Sequence, residues 1–189
     1  MDIPILSRSS KKPTMAALYA HYCTDTAVAQ YCDAHYGLDY FGVANFPQKM
    51  VQLCATALAG KPQRRALDLG CAVGRTSFEL ATHFDQVAGI DLSSRFIDIA
   101  QRIQKRGKTC YQLPEEGEIV SDHEVLLADL NLAETASKIT FSQGNAHYLE
   151  AGFCDYDLVL ASNLIDRYPE PRKFLAGVHQ RLVIGGLLV

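Results

Sequence analysis

Three features of the chain predict an α/β fold built on a doubly wound parallel sheet. A short apolar strand, Ala66 to Leu69, breaks into a turn carrying Gly70 and Gly74 before a helical pattern opens near Thr76. Further apolar strands alternate with amphipathic helices across short connections, as in sheets whose strands are joined by helical crossovers. Gly70, Asp91, Asn145 and Asn163 fall at the carboxyl ends of four strands, where open sheets of this kind bind ligands.

Composition narrows the class. At 189 residues and 48% hydrophobic content the chain is long enough to bury one substantial core. A net charge of −3 supplies no basic field for nucleic-acid phosphates. Six cysteines without a C-x-x-C pair read as packed thiols in a reducing, cytoplasmic setting. The histidines form no local metal motif. No apolar run approaches the ~20 residues of a membrane span, so neither a metal nor a membrane is expected.

Residues 1–14, with Ser7 to Pro13 polar and basic, read as a flexible lead-in or linker, leaving 15–189 as the domain. A helix is expected from Asp25, as its cap, through Val28, Tyr31, Cys32 and His35 to Gly37. A second is expected from Pro47 through Val51, Cys54 and Leu58 to Gly60, so that two helices precede the first strand. Tyr19, Tyr22, Tyr36, Tyr40, Phe41 and Phe46 crowd this region, either covering a ligand or packing the first helix on the sheet.

After the glycine turn a helix through Phe78 and Leu80 ends near His83, and the second strand, Gln86 to Ile90, finishes in Asp91. Ser93 or Ser94 caps a long helix closed by Gly107. A hairpin follows, Thr109 to Leu113 and Glu118 to Val120 around Pro114–Gly117. The third core strand, Ile139 to Ser142, leads to Gly144, Asn145 and Ala146, and the fourth is the apolar run Tyr156 to Ala161. A helix through Phe174, Leu175, Val178 and Leu182 precedes a fifth strand over 185–189.

The turn itself suggests its ligand. Glycine lets a ligand approach the main chain. A dinucleotide fingerprint would need glycines where the chain has Ala72 and Arg75, and no Gly-Lys-Ser/Thr follows, so the spacing disfavours a phosphate cradle. Asp68, Gly70 and Gly74 remain, an acid and two glycines spaced to pass a ribose and a cationic tail. Asp91, 17 residues after Gly74, stands where such folds bond a ribose diol.

This arrangement resembles motif I of Rossmann-like class I methyltransferases that use S-adenosylmethionine. The resemblance implies cofactor contacts at Asp68, Gly70, Cys71, Gly74, Asp91, Leu92, Asn145, Ala146 and Asn163. Asn145 replaces the usual acid, and its carbonyl still accepts from an adenine amine. Beyond the general motifs, Ala29 to Cys32, His35 to Gly37, Tyr40 to Val43, ALDLGCAVGR, LPEEGE at 113–118 and SNLIDR at 162–167 resemble the methyltransferase domain of ovothiol biosynthesis.

That resemblance covers about 19–189 and implies N-methylation of thiohistidine, a small imidazole amino acid, in association with or fused to an iron-dependent sulfoxide synthase. Tyr36, Phe41, Asn163, Asp166 and Arg167 are then substrate candidates; Asp166 and Arg167 either orient a zwitterion or pair with each other. No catalytic residue is implied. A cofactor-binding module without turnover, a methyltransferase for another small molecule and a nicotinamide oxidoreductase are the competing readings. The sheet looks truncated after the fifth strand, which would leave an apolar edge open to self-association.

Overall fold

The computed structural model describes residues 15–37, 42–168 and 170–189. The lead-in 1–14, Tyr40 and Phe41 lie outside the described residues.

Three helices, not two, precede the sheet: α1 (Met15–Tyr22), α2 (Asp25–Tyr36) and α3 (Phe46–Ala57). α1 carries no cap signal or clean amphipathic stripe, so periodicity alone passed it over. Thr24, rather than Asp25, caps α2, its hydroxyl accepting from Ala27 N at 3.1 Å and donating to His21 O at 2.9 Å. Asn45 caps α3 in the same way through Gln48 N, with Pro47 just inside.

The remaining elements are β1 (Arg65–Leu69), α4 (Arg75–Ala81), β2 (Gln86–Asp91), α5 (Ser94–Arg106), β3 (Lys108–Glu116), β4 (Ile119–Leu126), β5 (Ile139–Gln143), β6 (Tyr156–Leu160), α6 (Pro171–Val178) and β7 (Leu182–Leu188). The main sheet has the order β5-β2-β1-β6-β7, all pairs parallel. Strand order reverses between β1 and β6, the switch point at which a cleft opens in such sheets.

Strand alternation divides the core. Ala66, Val87, Phe141, Leu158 and Leu160 pack towards α4 and α5 together with Phe78, Phe96 and Ile103. Leu67, Leu69, Ile90 and Val159 pack on the other face with Tyr168 and Phe174. Asp157 interrupts the apolar run of β6, buried, with its Oδ2 accepting from both Arg64 N and Arg65 N at 2.9 Å. It satisfies amides at the start of β1 that the ladder leaves unpaired.

The hairpin β3–β4 is longer than the turn signals indicated and forms a separate two-stranded sheet. Tyr111 and Val125 join the core, and the Tyr111 hydroxyl donates to Asp33 Oδ1 at 3.2 Å. Leu182 belongs to β7 and not to the preceding helix, which gives way after Val178 to a 3-10 turn. β7 pairs only with β6 and bulges around Gly185, leaving Ile184 fully exposed.

Candidate active site

The carboxyl ends of β1, β2, β5 and β6 open on a cavity of about 540 Å³, covered by α2 and the start of α3. Asp68, Gly70, Asp91, Leu92, Asn145, Ala146, Asn163, Asp166 and Arg167 all line it.

The turn after β1 is shaped by three left-handed residues, Gly70 (φ 75°), Ala72 (φ 47°) and Gly74 (φ 90°). Ala72 adopts a conformation that disfavours a Cβ, and the carboxylate of Asp91 holds it there, Oδ2 accepting from Ala72 N at 2.9 Å. The neighbouring amides are likewise engaged. Gly70 N and Cys71 N donate to Ile90 O at 2.8 and 3.0 Å, and Gly74 N donates to Cys71 O at 2.9 Å. The amides of Gly70, Cys71 and Gly74 are thus taken up within the protein.

The two glycines do different work. A Cβ on Gly70 would meet only the flexible end of Leu164, at 3.0 Å, beside the cavity. On Gly74 it would sit 2.8 Å from the Phe141 ring and 3.0 Å from Ala100 Cβ, in the core. Gly74 therefore lets α4 pack, and it does not line the cavity. Cys71 is corrected too: its side chain is buried in the core, away from the cavity. So is Tyr36, whose hydroxyl donates to Val73 O at 2.8 Å and braces the turn from behind.

Asp68 is buried and Asp91 half-buried. Asp68 accepts from Ser77 Oγ at 2.6 Å, and burial, with Asp91 nearby, pushes its carboxyl up to about 7. Burial likewise raises Asp91, against the backbone N–H groups of Ser93 and Ala72, which favour its ionised form. Each Asp91 oxygen accepts one backbone hydrogen bond and retains a second lone pair, as a ribose diol requires. Asn145 Oδ1 accepts from His147 N at 2.9 Å, which fixes the side chain at the end of β5. Asn163 is left-handed (φ 52°) at the end of β6. Asp166 and Arg167 pair with each other on the wall, Oδ2 to Nε 3.4 Å, both exposed.

Several cavity residues escaped sequence reasoning. Gln30, Tyr31, Ala34 and His35 form an i, i+1, i+4, i+5 stripe on α2, next to its buried stripe Val28, Cys32 and Tyr36. The helical spacing of Val28, Tyr31, Cys32 and His35 does not separate a cavity-facing stripe from a core-facing one. Of the crowded aromatics, Tyr22 and Phe46 reach the cavity. Tyr22 and Tyr31 join Phe96 from α5, with Tyr31 and Phe96 centroids 4.6 Å apart, making an aromatic wall suited to a purine or a cation. Burial lifts the Tyr31 phenol to about 12, so it stays neutral.

Unpaired polar atoms gather in the same place. Four buried side-chain polar atoms among the described residues have no hydrogen-bond partner. His35 Nδ1 and Tyr168 Oη belong to residues lining the cavity, and His147, packed on Tyr168 at 5.2 Å between centroids, supplies a third.

The family profile described as a methyltransferase domain matches residues 67–188. The chain belongs to the methyltransferase-domain family. Solved structures agree in fold. The cyclase SpnF aligns with TM-score 0.64 at 18% identity, over 93% of this chain and 59% of that one. A putative S-adenosylmethionine-dependent methyltransferase from Methanococcus maripaludis gives 0.52 at 18% identity, over 76% and 53%. The glycopeptide N-methyltransferase MtfA, complexed with sinefungin, gives 0.52 at 15%, over 79% and 51%. The chain thus spans about half to three-fifths of these proteins. No curated protein matches.

The methyltransferase cofactor is S-adenosylmethionine, and the cavity fits it. Asp91, Leu92, Asn145, Ala146 and Asp68 line the cavity together, and they would hold a ribose diol through the Asp91 carboxylate, an adenine beside Leu92, Asn145 and Ala146, and a cationic tail near Asp68. Among the described residues no cluster of His, Cys, Asp and Glu is placed to hold a metal, and no helix is long and apolar enough to cross a membrane.

Proposed function

We propose that this methyltransferase N-methylates a small imidazole amino acid, with thiohistidine, the acceptor in ovothiol biosynthesis, as the substrate. The observation that carries this reading is the wall formed by SNLIDR, where Arg167 and Asp166 present opposite charges side by side on the cavity. Such a pair matches the carboxylate and ammonium of a free amino acid. A cavity of about 540 Å³ under an aromatic cover also favours a small acceptor over RNA or a protein chain.

The bound cofactor supplies an electrophilic methyl group. An imidazole nitrogen with a free lone pair needs no strong base to attack it, so the protein's part is to orient and desolvate. In this reading Asn163 and Arg167 hold the acceptor's backbone, while Tyr22, Tyr31 and Phe96 exclude water.

Two associations go with the proposal: with an iron-dependent sulfoxide synthase that supplies the thiohistidine, and with a second copy along β7, where Ile184 and Leu188 are exposed. Free thiols at all six cysteines suit a cytoplasmic location. A cofactor-binding module without turnover is the second reading, favoured by fold similarity to a protein named as a cyclase. The test is methyl transfer, read by mass spectrometry, to thiohistidine, histidine, RNA and a lysine peptide in parallel. Transfer to thiohistidine alone supports the proposal. Transfer only to RNA or peptide overturns it, and cofactor binding with no transfer to any of them selects the second reading.

A further inference from the structure

The two ends of α2 are held to the sheet in different ways. At the C-terminal end the fastening is buried. The Tyr36 hydroxyl donates to Val73 O at 2.8 Å with the ring packed in the core. Arg75, only 4% exposed, donates to His35 O at 3.4 Å while also bonding Glu79. At the N-terminal end the fastening reaches the surface and runs from the α1–α2 junction to one short segment, Ser93 to Arg95, where α5 begins. Arg95 Nη1 donates to Cys23 O at 3.1 Å, and Nη2 pairs with Asp25 Oδ1. Ser93 Oγ donates to Tyr22 O at 2.9 Å, and the hydroxyls of Tyr19 and Ser94 lie 3.4 Å apart. The Asp25 side chain is 90% exposed and that of Arg95 45%.

This segment ties the cover to the cofactor's end of the cavity. Ser93 N donates to Asp91 Oδ1 at 2.8 Å, so one residue holds both the carboxylate that takes the ribose and the carbonyl of Tyr22. The Tyr22 ring lines the cavity beside Tyr31 and Phe96, whereas Arg95 and Asp25 do not line it. A cofactor seated between Asp91 and these rings is enclosed by α2, so its exchange requires the helix to part from the rim at one end. Freeing the C-terminal end would strip buried polar groups of their partners. Freeing the other lets Arg95 and Asp25 trade their contacts for water, and Ser93 Oγ keeps Phe96 N as a partner when it releases Tyr22 O.

We propose that α2 opens at its N-terminal end about the buried Tyr36–Val73 anchor, and that Arg95 is the latch that sets how fast the cofactor enters and leaves. Arg95 is a positioning residue: it acts through the α1–α2 junction and touches no ligand. The side of the cavity beside Asp91 is uncovered first. The inference concerns cofactor exchange and stands apart from the identity of the acceptor. Entry and exit use the same opening, so weakening the latch raises both rates by a similar factor and changes Kd little.

The test measures association and dissociation rates of S-adenosylhomocysteine by surface plasmon resonance for wild type, Arg95→Gln, Arg95→Lys and Asp25→Asn. Lys173→Gln is the control, because it removes an equally exposed ion pair, with Glu170, away from α2. Amide hydrogen exchange along α2 is followed in each. In Arg95→Gln both rates should rise roughly two- to tenfold. Arg95→Lys should recover part of that change, and Asp25→Asn should show a smaller rise because the bond to Cys23 O remains. Added salt should narrow the gap between wild type and Arg95→Gln by screening the exposed pair. Amides at the start of α2 should exchange faster in Arg95→Gln while those around Tyr36 hold.

Wild-type rates in Arg95→Gln would overturn the proposal. So would a faster dissociation with association unchanged, which would make Arg95 a determinant of the bound state and not of the opening. Faster amide exchange along the whole of α2, or equal acceleration in Lys173→Gln, would overturn it as well by reducing the effect to general loosening of the fold.

Discussion

The rim of the sheet and the cover over it meet at one cavity but differ in how their polar groups are satisfied. On the rim, Asp68 is bonded by Ser77, Asp91 by Ala72 and Ser93, and Asn145 by His147. On the cover and the loop after β6, His35 Nδ1 and Tyr168 Oη have no partner. A rim organised before any ligand arrives suits an invariant cofactor, at little cost in reorganisation on binding. The unsatisfied atoms of the cover and the loop are shielded from solvent and find no partner in the protein.

The contrast breaks most severely where the packing beneath the rim is disturbed. Gly74→Ala would force a Cβ to within 2.8 Å of the Phe141 ring. We expect about 1–3 kcal/mol of destabilisation from the overpacking and a further ~1–2 kcal/mol from the left-handed backbone, read by urea unfolding. Gly70→Ala shares the backbone term, yet its new methyl meets only Leu164. Its distinguishing effect should be a fall of about tenfold in S-adenosylhomocysteine affinity, or ~1.4 kcal/mol. Equal unfolding midpoints for the two variants would erase the distinction between a packing glycine and a ligand-facing one.

Rim and cover should also respond to pH with opposite signs. Asp68 is raised in the folded chain from 3.8 to about 7, so the folded state binds more protons across that window. Its contribution to stability is full below 3.8 and is lost as pH rises through about 7. His35 is lowered from 6.5 to about 4, so its contribution is full above 6.5 and is lost as pH falls through about 4. The two slopes oppose each other between about 4 and 6.5. Denaturation of Asp68→Asn in that range should show stability rising more steeply with pH than in wild type, and His35→Phe the reverse. Parallel slopes in both variants would contradict the assignment. A cationic ligand tail favours ionised Asp68, so S-adenosylhomocysteine affinity should rise with pH through about 7 and then level off.

The smallest effect is expected on the side of the cavity opposite α2. Tyr168→Phe removes a buried hydroxyl that bonds nothing in the protein, so the ligand-free melting temperature should stay level or rise slightly, within about 1 kcal/mol. A clear loss of stability would mean that the hydroxyl is satisfied after all.

The same contrast decided what was legible in the sequence. Rim positions are set by backbone geometry, which leaves local signatures: glycines at a strand-to-helix turn, an acid at a strand end and a cap at Ser93 exposed Gly70, Asp68, Asp91 and α5 directly. The motif misassigned Gly74 and Cys71 because spacing records that a small residue is needed, not which side crowds it. Cover positions depend on how α2 rotates against α5 and β3, and nothing local reports that. Tyr31 and His35 therefore share one helical pattern with the buried Val28 and Cys32, and Tyr36 passes for a substrate contact although its hydroxyl braces Val73. α1 was invisible for want of a cap or stripe.

The division of labour between rim and cover is tested most directly by calorimetric titration of S-adenosylhomocysteine into wild type, Asp91→Ala and His35→Phe. Asp91→Ala should lose roughly ten- to a hundredfold in affinity, whereas His35→Phe should bind as wild type does. Wild-type affinity in Asp91→Ala, or a matching loss in both variants, would contradict the account.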